Sequence, residues 1–310
     1  AVPVAAAVAV ATVVAPVATA GLLSTAEVDL LEGTFDAEDP TIADVALLDE
    51  LDALLGQPLR AARQQRNQFQ VAQGVYELST AADRARAARA AATARPDDYR
   101  EYAHVVVDES QDVSPMQWRM LGRRGRLASW TIVGDPAQTA WTGDPSELER
   151  SRDRALGSRA RHAYTLTTNY RNSAEIFEVA AAEIRTIAPD LPLPTAVRST
   201  GVPPVALSVP LPAVAATVRS TVDEMLGQVE GTVGVITPVD RVGEVGEWLA
   251  AVGDARLQVV TSLQAKGMEY DGVVLVAPGE IRAGGAAGVR TLYVALSRAT
   301  QRLVTVDVSP

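Results

Sequence analysis

The feature that most constrains the fold is a run of three valines that leads directly into two carboxylates. Val105–Val107 are followed by Asp108 and Glu109. Consecutive β-branched residues favour a strand, and a short apolar run of this kind is typical of a strand buried on both faces. In open parallel sheets, ligands bind at the carboxyl ends of the strands. The stretch therefore predicts an α/β protein that presents an acidic pair at the edge of a parallel sheet.

From Tyr99 the sequence alternates between short apolar runs and helix-start signals. Helix starts are predicted at Ser114, at Asp144 and, through a capping box with Glu175, at Asn172. Strands that alternate with helices predict parallel sheets. We predict strands at 104–107, 130–133, 163–167, 204–208, 232–236, 257–261, 272–276 and 303–306.

Two stretches in this region lack any clear periodicity. Residues 189–204 contain five prolines and are predicted to form a long connection. Residues 284–288 consist only of glycine and alanine, which predicts a flexible loop. The glycine-rich stretch lacks the lysine that a phosphate-binding loop requires.

Residues 1–96 carry no catalytic signal and are predicted to be mostly helical. Thr41 and Asp44 form a variant of the capping box, and Gly56 is a natural C-cap for the helix that they start. Residues 60–95 are rich in Ala, Arg and Gln and also have a helical pattern. We expect the first helix to bury a stripe formed by Ile42, Val45, Leu48, Leu51, Leu54 and Leu55.

The first 20 residues are uncharged and rich in Ala and Val, a composition that superficially suits a membrane span. Pro3 and Pro16 interrupt the stretch, and no basic segment precedes it. We therefore expect no membrane association and a cytoplasmic protein.

The charge and the metal-binding residue types exclude several classes of protein. The chain has a formal net charge of −10, no cysteine and two histidines. A disulfide framework, a thiolate metal site and a histidine-rich metal site are therefore excluded. Proteins that hold nucleic acid mainly through phosphates tend to be basic. The acidic balance argues against a simple strand-binding module and favours docking to a large basic protein partner.

Four further motifs follow the acidic pair along the chain: Gly134–Gln138, Asn169–Arg171, Lys266–Tyr270 and Tyr293–Ala299. As an ordered set, they resemble the later motifs of superfamily 1 helicases of the UvrD/Rep type. The resemblance covers about residues 100–310. It implies RecA-like motor domains with parallel sheets, and ATP hydrolysis supported by Mg²⁺.

The chain lacks the phosphate-binding loop of such motors. That loop needs the pattern Gly-x-x-x-x-Gly-Lys-Ser/Thr, and the single lysine of this chain, Lys266, is followed by Gly267 and Met268. We therefore expect the chain to be the C-terminal part of a larger motor whose missing N-terminal segment carries the loop. The isolated chain is expected to hydrolyse ATP negligibly.

The resemblance also implies a division into domains. Residues 1–96 would be a mostly helical remnant of the first motor domain and its insertion. Residues 97–168 would form the C-terminal half of that domain, and residues 169–310 would form the second RecA-like domain.

The resemblance assigns catalytic roles to four residues. It implies that Glu109 orients the attacking water, and that Gln138 contacts the γ-phosphate. Arg171 and Arg298 would reach the transferred phosphoryl group, where guanidinium groups stabilise developing charge.

Further residues would bind the nucleotide or its metal. Asp108 would hold Mg²⁺, Tyr170 would stack on the adenine, and Glu269 would contact the ribose. Asp135 and Gly267 belong to the same motifs and are included as cofactor-binding residues. Without the resemblance, Asp108 could equally be an exposed acid at a strand end.

Two residues are candidates for contact with nucleic acid. Trp141 stands where helicases place an aromatic side chain that stacks on a base, and Thr261 opens the fifth motif. Thr142–Asp144 replace the Phe-Arg-Gly that usually follows that aromatic residue. Local packing of Trp141 therefore remains an alternative.

The fifth motif favours one branch of the superfamily. DNA-unwinding members usually carry histidine where this chain has Leu263, and Gln264–Gly267 look like HelD-type proteins. The helices at 41–56 and 114–121 are also similar to actinobacterial members of that group. These relatives bind RNA polymerase, release it from nucleic acid and use ATP in that recycling.

Three functions are consistent with these residues. The first is an ATP-dependent, HelD-like factor with RNA polymerase as its partner. The second is a helicase or translocase that acts on single-stranded or duplex DNA in repair or replication. The third is a non-catalytic interaction module that keeps the motor fold.

Overall fold

The computed structural model describes residues 41–55, 102–139 and 145–309. These residues divide into two compact units. Unit 1 holds the described residues of Ala1–Val107, Val113–Ile132 and Pro145–Arg159. Unit 2 holds those of Asp108–Asp112, Val133–Asp144 and Ala160–Pro310.

Unit 1 is a small parallel sheet accompanied by helices. Its described elements are α1 (Ile42–Leu55), β1 (His104–Val107), α2 (Pro115–Arg124), β2 (Ser129–Ile132) and α3 (Pro145–Leu156). Strands β1 and β2 pair in parallel, from His104 opposite Ser129 to Val107 opposite Ile132. The strand predicted at 104–107 is confirmed, and the one predicted at 130–133 lies one residue earlier. The predicted burial of β1 on both faces is wrong, because Val106 is 66% exposed and only Val107 is buried. Among the described residues β1 belongs to a two-stranded sheet, which leaves one of its faces open.

Helix α2 begins where the sequence predicts. The Ser114 hydroxyl accepts a hydrogen bond from the Gln117 amide at 3.3 Å, and the Gln117 side chain accepts one from the Ser114 amide at 2.8 Å. This reciprocal capping box satisfies amide groups that have no partner within the helix. Trp118 anchors the helix in the core, 1% exposed, with its ring centroid 6.5 Å from that of Trp130.

Helix α1 has the predicted start but not the predicted buried face. The Thr41 amide donates to the Asp44 carboxylate at 2.8 Å, which confirms the capping box. The apolar stripe is wrong, because Ile42 is 81% exposed and Leu54 is 70% exposed, whereas Ala46 is 1% exposed.

The contact between α1 and α2 is made by charged side chains, which explains the error. Asp49 accepts hydrogen bonds from Arg123 at 3.0 Å and from Arg124 at 2.8 Å. Glu50 forms ion pairs with Arg119 at 2.7 Å and with Arg123. Ion pairs between two helices leave no periodic apolar signal in the sequence.

Unit 2 is an α/β assembly in which every strand pairing is parallel. Its strands are β3 (Thr168–Ser173), β4 (Thr195–Arg198), β5 (Val205–Val209), β6 (Val233–Thr237), β7 (Leu257–Thr261), β8 (Tyr270–Val276) and β9 (Ala299–Val308). Its helices are α4 (Ala174–Arg185), α5 (Val214–Gln228), α6 (Val242–Leu249), α7 (Pro278–Arg282) and α8 (Gly285–Leu296). The α/β class with parallel sheets is therefore confirmed.

The main sheet of unit 2 has five strands in the order β5-β9-β8-β6-β7, and β3 pairs with β4 in a separate sheet. Helices cover both faces of the main sheet, so β8 is buried on both sides. Val273 and Leu275 point into one apolar cluster, and Val274 and Val276 point into the other. This alternation is the period of two that a strand imposes on its side chains.

Several predicted elements of unit 2 differ from the structure. Residues 163–167 form no strand and are exposed, because the strand begins at Thr168 instead. The predicted long connection at 189–204 contains strand β4. The predicted capping box at Asn172 is wrong, because Ser173 is the N-cap of α4 and accepts a hydrogen bond from the Ile176 amide at 3.4 Å.

The glycine-rich stretch 284–288 is also not a loop, since helix α8 begins at Gly285. A Cβ atom at Gly288 would lie 2.2 Å from the backbone oxygen of Ile281. The glycine therefore permits close contact between α7 and α8.

Several predictions fall on residues outside the described ones: those for residues 1–20, residues 60–95, the Gly56 cap and Trp141. The domain boundaries after residues 96 and 168 also stay predictions. Among residues 41–55, 102–139 and 145–309, no helix has both the length and the apolar character that spanning a bilayer requires.

Candidate nucleotide site

The acidic pair lies at the end of β1 in an unusual backbone conformation. Glu109 has a φ of 49°, in the left-handed region that non-glycine residues seldom adopt. Its amide donates a hydrogen bond to the Asp108 carboxylate at 2.8 Å, and the Ser110 amide donates to the Val133 carbonyl at 3.0 Å. Strained non-glycine residues cluster at functional sites. We therefore include this turn in the candidate site.

A chain of hydrogen bonds within unit 2 runs from Glu109 to Arg298. The Gln111 amide group donates to Glu109 at 2.5 Å, and its oxygen accepts from the Asp135 backbone at 2.9 Å. Asp135 accepts from the Gln138 side chain at 2.7 Å. The oxygen of Gln138 accepts from Arg298 at 3.2 Å. We call Glu109, Gln111, Asp135, Gln138 and Arg298 the carboxylate network. All of them except Gln111 were predicted as site residues from the sequence.

Lys266 adds a positive charge beside this network. Its ammonium group donates to the Asp112 carboxylate and to the backbone oxygen of Gln138, the latter at 3.3 Å. It also lies 3.4 Å from a Glu109 carboxylate oxygen. Lys266, Asp112 and Gln111 were not among the site residues predicted from the sequence. The available signal was that the single lysine of the chain stands inside a recognised motif.

Arg298 is almost completely buried, with only 2% of its surface exposed. Its guanidinium donates to the backbone oxygens of Val294 at 3.0 Å and Met268 at 3.3 Å, as well as to Gln138. Burial lowers the pKa of Arg298, and the nearby charge of Arg171 acts in the same direction. A buried guanidinium held by backbone carbonyls is a fixed positive charge, which suits stabilisation of an anion.

The second cluster of predicted residues surrounds a cavity of about 480 Å³ in unit 2. Arg171 and Glu269 form an ion pair across it at 2.6 Å, and Tyr170 is 71% exposed. We call this space the Tyr170 cavity. It is lined by Tyr170, Arg171, Arg198, Glu269, Tyr270, Asp271, Thr300 and Gln301.

The strand register explains why residues distant in sequence meet here. Strands β8 and β9 are parallel neighbours, with Tyr270 opposite Ala299. Glu269 and Arg298, which immediately precede these residues, therefore lie at the same edge of the sheet. An exposed aromatic ring, a guanidinium and a carboxylate around one cavity can bind a base, a phosphate and a hydroxyl group, respectively.

The remaining predicted residues have the following places. Gly267 has a φ of 79° in the turn before β8, a conformation that suits glycine. Thr261 is 7% exposed, and its hydroxyl accepts from the Gln264 amide at 3.1 Å. The predicted contact of Thr261 with nucleic acid stays a prediction.

Burial raises the pKa of Tyr293 to about 12, with Asp135 adding to the shift and Arg298 opposing it.

The described residues contain no group of three or more His, Cys, Asp or Glu side chains arranged to hold a metal ion. Mg²⁺ usually binds through one or two carboxylates together with substrate phosphates and water. Asp108, an exposed carboxylate beside Glu109, fits that pattern only when a nucleotide supplies the phosphates. The predicted roles of Asp108 and of Mg²⁺ remain predictions.

Comparison with known proteins supports the helicase resemblance in its general form. Residues 257–306 match the UvrD-like helicase C-terminal domain family. A similar solved structure is the C-terminal domain of a possible DNA helicase from Lactobacillus plantarum WCFS1, with a TM-score of 0.37 and 19% identity over 45% of this chain and 88% of that chain. No curated protein matches the chain.

The matched segment contains Arg298 of the carboxylate network and Lys266 beside it. It also contains Glu269, which lines the Tyr170 cavity. Residues 257–306 are therefore similar to the UvrD-like helicase C-terminal domain family. The more specific likeness to HelD-type proteins stays a prediction.

Proposed function

We propose that this chain is the C-terminal motor portion of an ATP-dependent superfamily 1 helicase-like protein, and that the Tyr170 cavity binds the nucleoside of ATP. The observation that carries the proposal is the ion pair of Arg171 with Glu269 beside the exposed ring of Tyr170. Tyr170 stacks on the base and Glu269 accepts from the ribose. Arg171 then exchanges its carboxylate partner for a phosphate.

In this mechanism, the carboxylate network performs the phosphate chemistry. Glu109 orients the attacking water, and Asp108 would hold Mg²⁺. Arg298 stabilises charge on the transferred phosphoryl group. Gln138 accepts a hydrogen bond from Arg298 at 3.2 Å and connects it to Glu109 through Asp135 and Gln111. Bound Mg²⁺ would neutralise phosphate charge. Hydrolysis further needs a phosphate-binding loop, a pattern that this chain does not contain.

A titration of the ¹⁵N-labelled chain with ATP and Mg²⁺, followed by NMR, tests the nucleotide site. We expect shifts centred on residues 170, 171 and 269, and Arg171→Ala should weaken ATP binding about tenfold, since it removes a charge-assisted hydrogen bond. Arg185→Ala is the matched control, because Arg185 is an exposed arginine paired with Glu178 at 2.6 Å. Equal effects of the two variants, or shifts elsewhere, would contradict the proposal.

We further propose that the physiological partner is RNA polymerase, as in HelD-type proteins. Leu263 supports this choice, because it is 57% exposed where DNA-unwinding members usually carry histidine. The net charge of −10 also favours a protein partner over a phosphate backbone.

The partner can be tested by retention of core RNA polymerase on the immobilised chain after nuclease treatment. Retention that resists nuclease is the expected result. Retention of single-stranded or duplex DNA in place of polymerase would instead favour a DNA helicase or translocase. Binding of neither, by a folded chain, would favour the non-catalytic module.

A further inference from the structure

Asn172 is a buried side chain whose hydrogen bonds join two distant parts of unit 2. It is 3% exposed. Its amide nitrogen donates to the backbone oxygen of Ser297 at 2.8 Å and to that of Ala299 at 2.6 Å. Those two carbonyl groups flank Arg298 on either side. Asn172 therefore fixes the backbone from which the buried guanidinium extends.

The same side chain is tied to Arg171 through Asn169. The Asn172 oxygen accepts from the Asn169 side chain at 3.0 Å. The Asn169 oxygen in turn accepts from the backbone amide of Arg171 at 2.9 Å and from that of Asn172 at 3.2 Å. Two asparagines thus link the backbone of one arginine to the backbone of the other.

The chemistry at this position requires a carboxamide. The NH₂ group of Asn172 donates to the Ser297 and Ala299 carbonyl groups, and its oxygen accepts from the Asn169 side chain. Both ends of the carboxamide are therefore hydrogen-bonded. Aspartate would place a carboxylate against two carbonyl oxygens. Leucine or alanine would leave both carbonyl groups without this partner in a buried setting, which is costly.

We propose that Asn172 is a positioning residue that holds Arg171 and Arg298 at a fixed spacing for the phosphates of a bound nucleotide. This inference rests on the proposed function, because it needs both arginines to contact phosphate. Asn172 itself does not touch the nucleotide. Its loss should therefore affect recognition of phosphate more than recognition of the nucleoside, which Tyr170 and Glu269 bind.

The test uses the full 310-residue chain and two independent readouts. The first is the ratio of the affinities for ATP and adenosine, each in the presence of Mg²⁺, measured by NMR titration. The second is the Nε–H signal of Arg298 without any nucleotide, a proton that is hydrogen-bonded to the Val294 carbonyl in the structure. We compare Asn172→Ala with the control Val222→Ala, which also truncates a buried side chain but lies in the apolar cluster that holds Val274 and Val276.

We expect Asn172→Ala to lower the ATP-to-adenosine affinity ratio about tenfold, equivalent to one lost charge-assisted hydrogen bond, and to speed solvent exchange of the Arg298 proton. Val222→Ala should change neither. If Asn172→Ala does not fold, Asn169→Ala serves instead, because it breaks the link to the Arg171 amide without removing the partner of the two carbonyl groups.

An unchanged ratio, or an equal fall in Val222→Ala, overturns the inference. Absence of binding of either ligand by the wild-type chain refutes the proposed function instead. The Arg298 signal then tests the anchoring of the Arg298 backbone alone: faster exchange in Asn172→Ala supports that anchoring by Asn172, and unchanged exchange overturns it.

Discussion

Replacing Arg298 with methionine separates a functional role of this side chain from a structural one. Methionine has a similar length but carries neither charge nor donors. In the structure the guanidinium is buried, and among the described residues no carboxylate lies within ion-pair distance of it. Burying an ion costs several kcal/mol, and the lowered pKa of Arg298 reports that cost. The substitution removes the cost.

The substitution also has a destabilising effect, because oxygen atoms that accept hydrogen bonds from Arg298 lose their donor. Arg298→Met deprives the Met268 carbonyl and the Gln138 oxygen of a partner, at about 1–3 kcal/mol each. The Val294 carbonyl keeps a hydrogen bond from the Ser297 hydroxyl at 2.9 Å. The two terms are of similar size, so the free energy of unfolding should change by less than about 2 kcal/mol.

Urea denaturation followed by circular dichroism measures this change, and an NMR titration measures ATP binding by the same variant. We expect near-normal stability together with affinity for ATP that is lower by about tenfold or more. Arg185→Met, at an exposed arginine, is the control for loss of charge alone. A loss of stability above about 4 kcal/mol with unaltered ATP binding would refute the reasoning, since Arg298 would then be a structural residue.

Two further predictions concern packing and pH. Gly234→Ala should destabilise the chain by about 1–3 kcal/mol in urea denaturation, because the new Cβ would lie 2.5 Å from the ring of Tyr270, which is 2% exposed. Gly227→Ala is its control, with nothing within 4 Å, and should not be destabilising. A hydrogen bond from Ser199, with further hydrogen bonds to the carboxylate, lowers the pKa of Glu175 from 4.5 to about 2. Because the folded pKa lies below the ordinary value, this stabilisation is present above pH 4.5 and is lost as the pH falls towards 2, and Ser199→Ala should raise the pKa in an NMR titration.

Apolar runs allowed several strands to be predicted from the sequence. The strands at 104–107 and 257–261 match the structure to the residue, and β8 extends only two residues before its predicted start. Strand β3 was placed too early because its residues, Thr168–Ser173, are polar and lack alternation.

The candidate site was predictable only where residues belong to recognised motifs. Glu109, Gln138 and Arg298 were identified in this way, and the structure brings them into one network, although their catalytic roles stay predictions. Lys266 and Asp112 were missed because their contact joins residues 154 positions apart. Asn172 was misassigned as a helix cap, since local spacing suggests a cap and the two carbonyl groups to which its side chain donates lie more than 120 residues away.

The position of β9 in the sheet has a consequence for how unit 2 forms during translation. Strand β9 lies between β5 and β8, yet about 90 residues separate the end of β5 from its start. Until β9 has left the ribosome, β5 has no strand to pair with and the inner edge of β8 is open. An exposed strand edge is a template for pairing with another chain. A chaperone that shields this edge on the nascent chain would therefore be expected to raise the yield of folded protein.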